Sequence, residues 1–293
     1  MKGTSRALRR VLIVYKKSSY QEHALDEKDA NYLRLLRERN PATLKSKSTH
    51  DTHLDALETV KRHLRNLRIA YDVCLRTQLK PIRRHDLILT IGGDGTFLET
   101  SHYVKKGLML GINSVPKVSV GYYCKATAET FLDKLYEYIH GTCRLQTLHR
   151  VSVAVDGRPF WPLALNDVLF ANTNPAGTTR YVLKVEKAKE EQKSSGLWIS
   201  PAPGSTAGTK SAGGRALPLG SKDIQYVVRE PYAPPGKRYR LLKGVLNPPA
   251  RVEIFSMMDD AALFIDGPHI VYRLRRASRV SIRNALEPIQ AIW

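Results

Sequence analysis

Short apolar runs and longer amphipathic stretches alternate through the first half of this chain, and that alternation predicts an α/β arrangement. Val11 to Tyr15 reads as a buried strand. Ala24 to Asn40, which carries Leu33, Leu35 and Leu36 and stops before Pro41, reads as a helix. From Leu54, apolar residues recur at Leu57, Val60, Leu64 and Leu67, a spacing that lines one face of a second helix. Ile69 to Cys74, Asp86 to Ile91 and Leu108 to Ile112 are strand-like, and the nearly unbroken Leu87, Ile88, Leu89 and Ile91 fit a parallel strand covered on both faces. Ala128 to His140 closes the half as an amphipathic helix with Gly141 as its stop.

Beyond about residue 145 the period shortens. Val151 to Val155, Pro162 to Ala171, Tyr181 to Val185, Leu197 to Ser200 and Ile224 to Val228 read as strands between Gly, Pro and Asn turns. Ala262 to Ile265, His269 to Leu274 and Val280 to Ile282 continue the pattern. The expected fold is an α/β domain with a Rossmann-like parallel sheet over residues 1–143 and a β-rich domain, a β-sandwich, over 144–293. The final residues are candidates to pack back on the first domain.

Composition narrows the partners. Lys and Arg number 47 against 27 Asp and Glu, a formal charge of +20 that favours anionic ligands. The basic residues are spread along the chain without a nucleic-acid motif, so no nucleic-acid partner is expected. No apolar stretch approaches the roughly 18–20 residues of a membrane span, and Val11 to Tyr15 is too short for a signal peptide. Cys74, Cys124 and Cys143 are too few and too scattered for a disulfide framework. These features predict a soluble, cytoplasmic protein with no membrane partner.

The most informative local feature is Gly92-Gly93-Asp94-Gly95-Thr96, set between a buried strand and a helix pattern through Phe97 and Leu98. Gly92, Gly93, Gly95 and Thr96 can turn backbone N–H groups toward phosphate, assisted by the helix N-terminus. A carboxylate in that position would repel phosphates, so Asp94 is expected to accept a proton from an attacking hydroxyl or to help place a metal ion. The competing reading is a tight turn with Asp94 as helix N-cap. A second glycine-rich run spans Gly204 to Gly214, but Thr209 separates Gly208 from Lys210 and breaks a P-loop register. His50 and His53 lie at a spacing that can share a metal, but no third ligand accompanies them. Asp259, Asp260 and Asp266-Gly267 are read as turn chemistry.

Taken in order, Gly92 to Phe97, Gly111-Ile112-Asn113, Asn166-Asp167 and Gly204-Ser205-Thr206-Ala207 resemble the NAD kinase family over most of the chain. The stretches Gly111 to Cys124 and Lys193-Ser194-Ser195-Gly196 look more like its mitochondrial and plant NADH-kinase branch. The resemblance implies transfer of the terminal phosphoryl group of ATP, or of polyphosphate, to the 2′-hydroxyl of the adenosine ribose in NAD or NADH. It implies Mg²⁺ as the divalent cation, a homo-oligomer, and Asp94 as general base. It places Gly95, Tyr122, Tyr123, Asn166, Asp167, Arg180, Lys193, Ser195, Thr206, Ala207 and Ser211 at the dinucleotide, with Tyr122 and Tyr123 as stacking rings near adenine. Two positions depart from the family: Gly208 replaces a tyrosine, which removes an aromatic wall, and Ser195 stands for an aspartate. The glycine-aspartate loop is also shared with lipid kinases, which makes a diacylglycerol or sphingosine kinase the alternative enzyme, and the +20 charge makes a basic nucleic-acid-binding protein the alternative of another class.

Overall fold

The computed structural model describes residues 8–83 and 85–293. The chain divides into two compact units, Met1–Leu145 with Gln290–Trp293, and Gln146–Ile289.

In the first unit, β1 (Arg10–Tyr15), β2 (Ala70–Leu75), β3 (Leu87–Gly92) and β4 (Leu108–Asn113) form a parallel sheet in the order β2-β1-β3-β4. Gln290 and Ala291 extend it by pairing parallel to β4, and β5 (Cys124–Thr127) also pairs with β4. Every residue of β3 and β4 is buried, as their unbroken apolar runs require. Leu57, Val60 and Leu64 of α2 (Ser46–Asn66) and Phe131 and Leu135 of α4 (Phe131–Ile139) pack on Val11, Leu89 and Ile112 of the sheet.

Two helices differ from expectation, each for a local reason. The stretch Ala24 to Asn40 is not one helix: a π-helical segment ends at Asp26, Lys28 takes a left-handed conformation, and α1 (Ala30–Arg37) restarts after it. The break is stabilised by Asp29, whose carboxylate accepts the Tyr32 N–H at 2.7 Å. α2 begins at Ser46, well before the apolar recurrence at Leu54, because buried His50 and His53 continue its inner stripe. Burying each aliphatic of that stripe is worth about 1.5–3 kcal/mol, which outweighs the few tenths lost per Ser, Thr or His in its first turns.

The second unit is entered through β6 (Leu145–Leu148). One antiparallel sheet contains β7 (Val151–Val155), β8 (Arg158–Ala164), β10 (Thr179–Val185), β11 (Ala188–Ser194), β15 (Arg251–Ser256) and β18 (Arg279–Asn284), in the order β11-β10-β15-β18-β7-β8. The other contains β9 (Val168–Asn172), β12 (Gly196–Pro201), β13 (Ile224–Arg229), β14 (Lys243–Leu246), β16 (Ala261–Ile265) and β17 (Ile270–Leu274), in the order β14-β13-β12-β9-β16-β17. Tyr181, Leu183, Val252 and Ile282 from the first share one core with Phe170, Leu197, Ile199 and Leu263 from the second, the construction of a β-sandwich. The expected strand Pro162 to Ala171 is two strands in different sheets, parted at Leu165–Asp167. β11 escapes a search for apolar alternation because it is a charged edge strand.

Candidate active site

The glycine turn lies at the carboxyl end of β3, the edge of an open parallel sheet where ligands bind. Gly93 is the N-cap of α3 (Asp94–His102), and Asp94 is the first helical residue, so the N-cap reading of Asp94 does not hold. Its carboxylate instead accepts two backbone N–H groups, from Tyr122 at 2.9 Å and Tyr123 at 2.7 Å. Those bonds fix both oxygens while leaving lone pairs for a further hydrogen-bond donor. Gly92 is required by close approach: a methyl group there would lie 2.3 Å from the Thr96 hydroxyl oxygen. That hydroxyl is buried and has no hydrogen-bond partner among the described residues. A cavity of ≈ 350 Å³ opens beside Gly92 and Gly93, with Lys16, His53, Asn113 and Ser114 in its wall. The loop after β4 is tied by Asn113, which donates to the Ser119 carbonyl and accepts the Val115 N–H.

The two tyrosines separate in role. Tyr122 is half-buried, edge-on to Tyr123 at 5.1 Å and to Trp293 at 6.0 Å between ring centroids. Tyr123 is 3% exposed and stacked on Phe97 at 5.2 Å, so its ring is core and the stacking role expected for it is corrected. What Tyr123 offers the site is its backbone N–H. The histidines are also structural. His50 Nδ1 meets Ser18 Oγ at 2.8 Å, while His53 Nδ1 meets Ser114 Oγ at 2.8 Å and its Nε2 meets the Lys16 carbonyl at 2.9 Å. Because a carbonyl only accepts, His53 carries its proton on Nε2 and the Ser114 hydroxyl donates to Nδ1.

In the second unit, Asn166 and Asp167 occupy the turn between β8 and β9, and their backbone is held by a residue that sequence reading assigned only to a turn. The Asp266 carboxylate accepts the N–H groups of Leu165 at 2.9 Å, Asn166 at 2.7 Å and Asp167 at 3.0 Å. Its own N–H returns a bond to the Asp167 carbonyl at 2.9 Å. The Asp-Gly pair at 266–267, with positive φ at both residues, was the available signal, but it reads equally well as an ordinary turn. Burial, reinforced by the Asp266 carboxylate, pushes the Asp167 carboxyl up to about 7.

Gly204 brings the Gly-Ser-Thr-Ala loop against the Asn-Asp turn. The Asn166 carbonyl oxygen lies 1.5 Å from where a side-chain carbon on Gly204 would sit. Ser205 then turns inward, donating to the Ala202 carbonyl and accepting the Leu217 N–H, which leaves Thr206 and Ser211 exposed and Ala207 half-buried beside the Asn-Asp turn. Arg180, Lys193 and Ser195 are not part of this group. Arg180 and Lys193 face each other across β10 and β11, and Ser195 precedes β12, whereas Gly204 follows it. Six residues of strand separate the two ends, roughly 20 Å at about 3.3 Å per residue.

Gly208 does not leave an empty wall. A side-chain carbon there would meet the Trp198 ring at 3.2 Å, so an indole already fills the space beside it. Gly208→Tyr is therefore expected to weaken, not tighten, dinucleotide binding while Trp198 is present, and to recover when paired with Trp198→Ala. A double-mutant cycle on dinucleotide affinity checks this, and additivity of the two changes would remove Trp198 from the argument.

No family model matches the chain. A protein of Oryza sativa subsp. japonica named "Probable NADH kinase" is 30% identical over 226 residues, 70% of either chain. The NADH kinase of Arabidopsis thaliana is 29% identical over 271 residues, 84% of this chain and 85% of its own. Among solved structures, an NAD kinase from Archaeoglobus fulgidus in complex with ATP superposes with a TM-score of 0.69 at 18% identity, covering 97% of this chain and 93% of that one. Yeast NADH kinase complexed with NADH superposes with a TM-score of 0.67 at 16% identity, covering 97% and 83%. With the glycine-aspartate turn, the Asn-Asp turn and the Gly-Ser-Thr-Ala loop each built as described, these likenesses make the chain a member of the NAD kinase family.

Proposed function

We propose that the protein phosphorylates NADH and NAD at the 2′-hydroxyl of the adenosine ribose, with ATP as donor. The observation that carries this reading is Asp94: a carboxylate on a phosphate-type glycine turn, held by two N–H groups and free to accept one proton. In the transfer, the ribose O–H bond breaks and its proton passes to Asp94. The oxygen forms a bond to the terminal phosphorus, the bond from that phosphorus to the bridging oxygen of the donor breaks, and ADP leaves. Gly92, Gly93 and Gly95 present amides to the donor phosphates. Asn166, Asp167, Thr206, Ala207 and Ser211 supply hydroxyl and amide recognition of the dinucleotide. Membership in the family favours this reading over a lipid kinase or a basic nucleic-acid-binding protein.

Among the described residues no three His, Cys, Asp or Glu side chains are grouped to hold a metal. That donor set suits Mg²⁺ carried by the substrate phosphates, with Asp94 as the loop's carboxylate, because Mg²⁺ uses few protein ligands and keeps its waters. When bound, the cation would offset phosphate charge. We further assign the protein to the cytoplasm and to a homo-oligomeric state. The first is supported by three cysteines that form no disulfide, and the second by family resemblance.

Incubation with NAD or NADH and either ATP or polyphosphate, scoring 2′-phosphorylated product, tests the reading. Product is expected with ATP, and its absence with both dinucleotides and both donors overturns it. Asp167 adds a pH signature. Its folded-state pKa of about 7 lies above the unfolded carboxyl value of roughly 3.9, so between those limits the unfolded chain has released a proton that the native chain keeps. Stability from this group falls as pH rises through that window. Dinucleotide hydroxyls, however, need the ionised carboxylate, so kcat/KM for NADH is expected to rise as pH passes through about 7. Asp167→Asn should flatten that limb of the pH profile.

A further inference from the structure

Two cations outside the glycine motif meet it from neighbouring strands. Because β1, β2 and β3 are parallel, the residues that follow them lie along one edge of the sheet. Lys16 follows β1 and crosses Gly92: a methyl group on that glycine would lie 3.6 Å from Lys16 Cγ. Arg76 follows β2 and reaches Gly95, where a methyl group would lie 3.8 Å from Arg76 Nη1. Arg76 is steadied by Glu99 at 3.2 Å. Lys16 has no carboxylate within ion-pair distance among the described residues, and its carbonyl is anchored by His53 Nε2 at 2.9 Å. Burial pulls the His53 pKa down, which keeps the ring neutral and this bond intact.

Positive charge at the turn is therefore under-compensated. Burial and the nearby Arg76 guanidinium both lower the Lys16 pKa, and Glu22 offsets only part of that. The same place holds the unpartnered Thr96 hydroxyl and the cavity of ≈ 350 Å³, whose wall includes Tyr20, Tyr32 and Val118 as well as Lys16 and the glycines. A ligand with a multiply charged end and a partly apolar body fits this mixed lining.

We propose that Lys16 and Arg76 grip the phosphate chain of the donor, and that the cavity beyond Gly92 receives its nucleoside. This rests on the kinase reading above and adds donor-binding residues that lie outside the glycine turn. Charge-assisted bonds to phosphate are the strong kind, so losing one is expected to weaken donor binding by about tenfold or more.

The test uses the full chain with Lys16→Met, which keeps the stem and removes the charge, Lys16→Arg, which keeps the charge, and Arg76→Gln. Calorimetry with inorganic triphosphate should show binding to the wild type, a dissociation constant about tenfold weaker in Lys16→Met and Arg76→Gln, and recovery in Lys16→Arg. In turnover assays KM for ATP should rise by the same factor, with KM for NADH within about twofold of wild type. Triphosphate affinity unchanged in both charge-removing variants overturns the proposal, as does an equal rise in both KM values. A wild type that binds triphosphate through Lys16 yet forms no NADP(H) would instead overturn the kinase reading and leave this anion site standing.

Discussion

Asp94→Asn is expected to lower turnover by about 10²–10⁴-fold, because an amide cannot take the proton of the attacking hydroxyl. The substitution is not silent elsewhere. Asp94 uses one oxygen for the Tyr122 N–H and the other for the Tyr123 N–H. An asparagine offers one acceptor and turns a donor toward the second N–H, so one charged hydrogen bond worth about 1.5–3 kcal/mol is lost and the Tyr122–Tyr123 turn loosens. The structure thus gives Asp94 a structural role beside its chemical one. Steady-state kinetics alongside thermal unfolding separates the two: kcat should fall by orders of magnitude while the melting temperature drops by only a few degrees. Near-wild-type kcat would remove Asp94 as the base.

Gly204→Ala is expected to be the most damaging small substitution in the second unit. The added carbon would sit 1.5 Å from the Asn166 carbonyl oxygen and 2.3 Å from its carbon, and both are backbone atoms with no rotamer to yield. Overpacking of ordinary side chains costs about 1–3 kcal/mol, and this contact exceeds that range. The expected result is a fall in melting temperature of about 10 °C or more, or failure to accumulate folded protein, together with loss of dinucleotide binding. Gly157→Ala is the comparison. Gly157 has φ +79° but open space around it, so only the backbone penalty of about 1–2 kcal/mol applies. A Gly204→Ala protein as stable as Gly157→Ala, still binding NADH, would contradict the close approach described here.

The parts of the site that were legible in the sequence are those whose chemistry is local. Gly92 to Thr96 announces itself because the strand before it is unbroken and the helix after it needs an entry, and both features belong to neighbouring residues. Asn166-Asp167 and Gly204 to Ala207 were legible as motifs, but their juxtaposition rests on one backbone approach between residues almost forty positions apart. Asp266 was passed over because an Asp before Gly at positive φ is commonplace, and its work of holding three N–H groups a hundred residues upstream leaves no trace in its own neighbourhood. Arg180, Lys193 and Ser195 adjoin the motif in sequence, and β12 separates Ser195 from Gly204 along the chain.

Hydrophobic periodicity by itself determined the two textures of this chain, because burial of alternate or continuous apolar residues is decided strand by strand and helix by helix. Motif order by itself pointed to the family. Only the tertiary structure decided that Tyr123 is core, that an indole backs Gly208, and that Lys16 and Arg76 stand over the glycine turn. Each of those is a contact between residues distant along the chain, set by which strand ends share a sheet edge and which side chains fill the space left by a glycine, and no local pattern encodes such contacts.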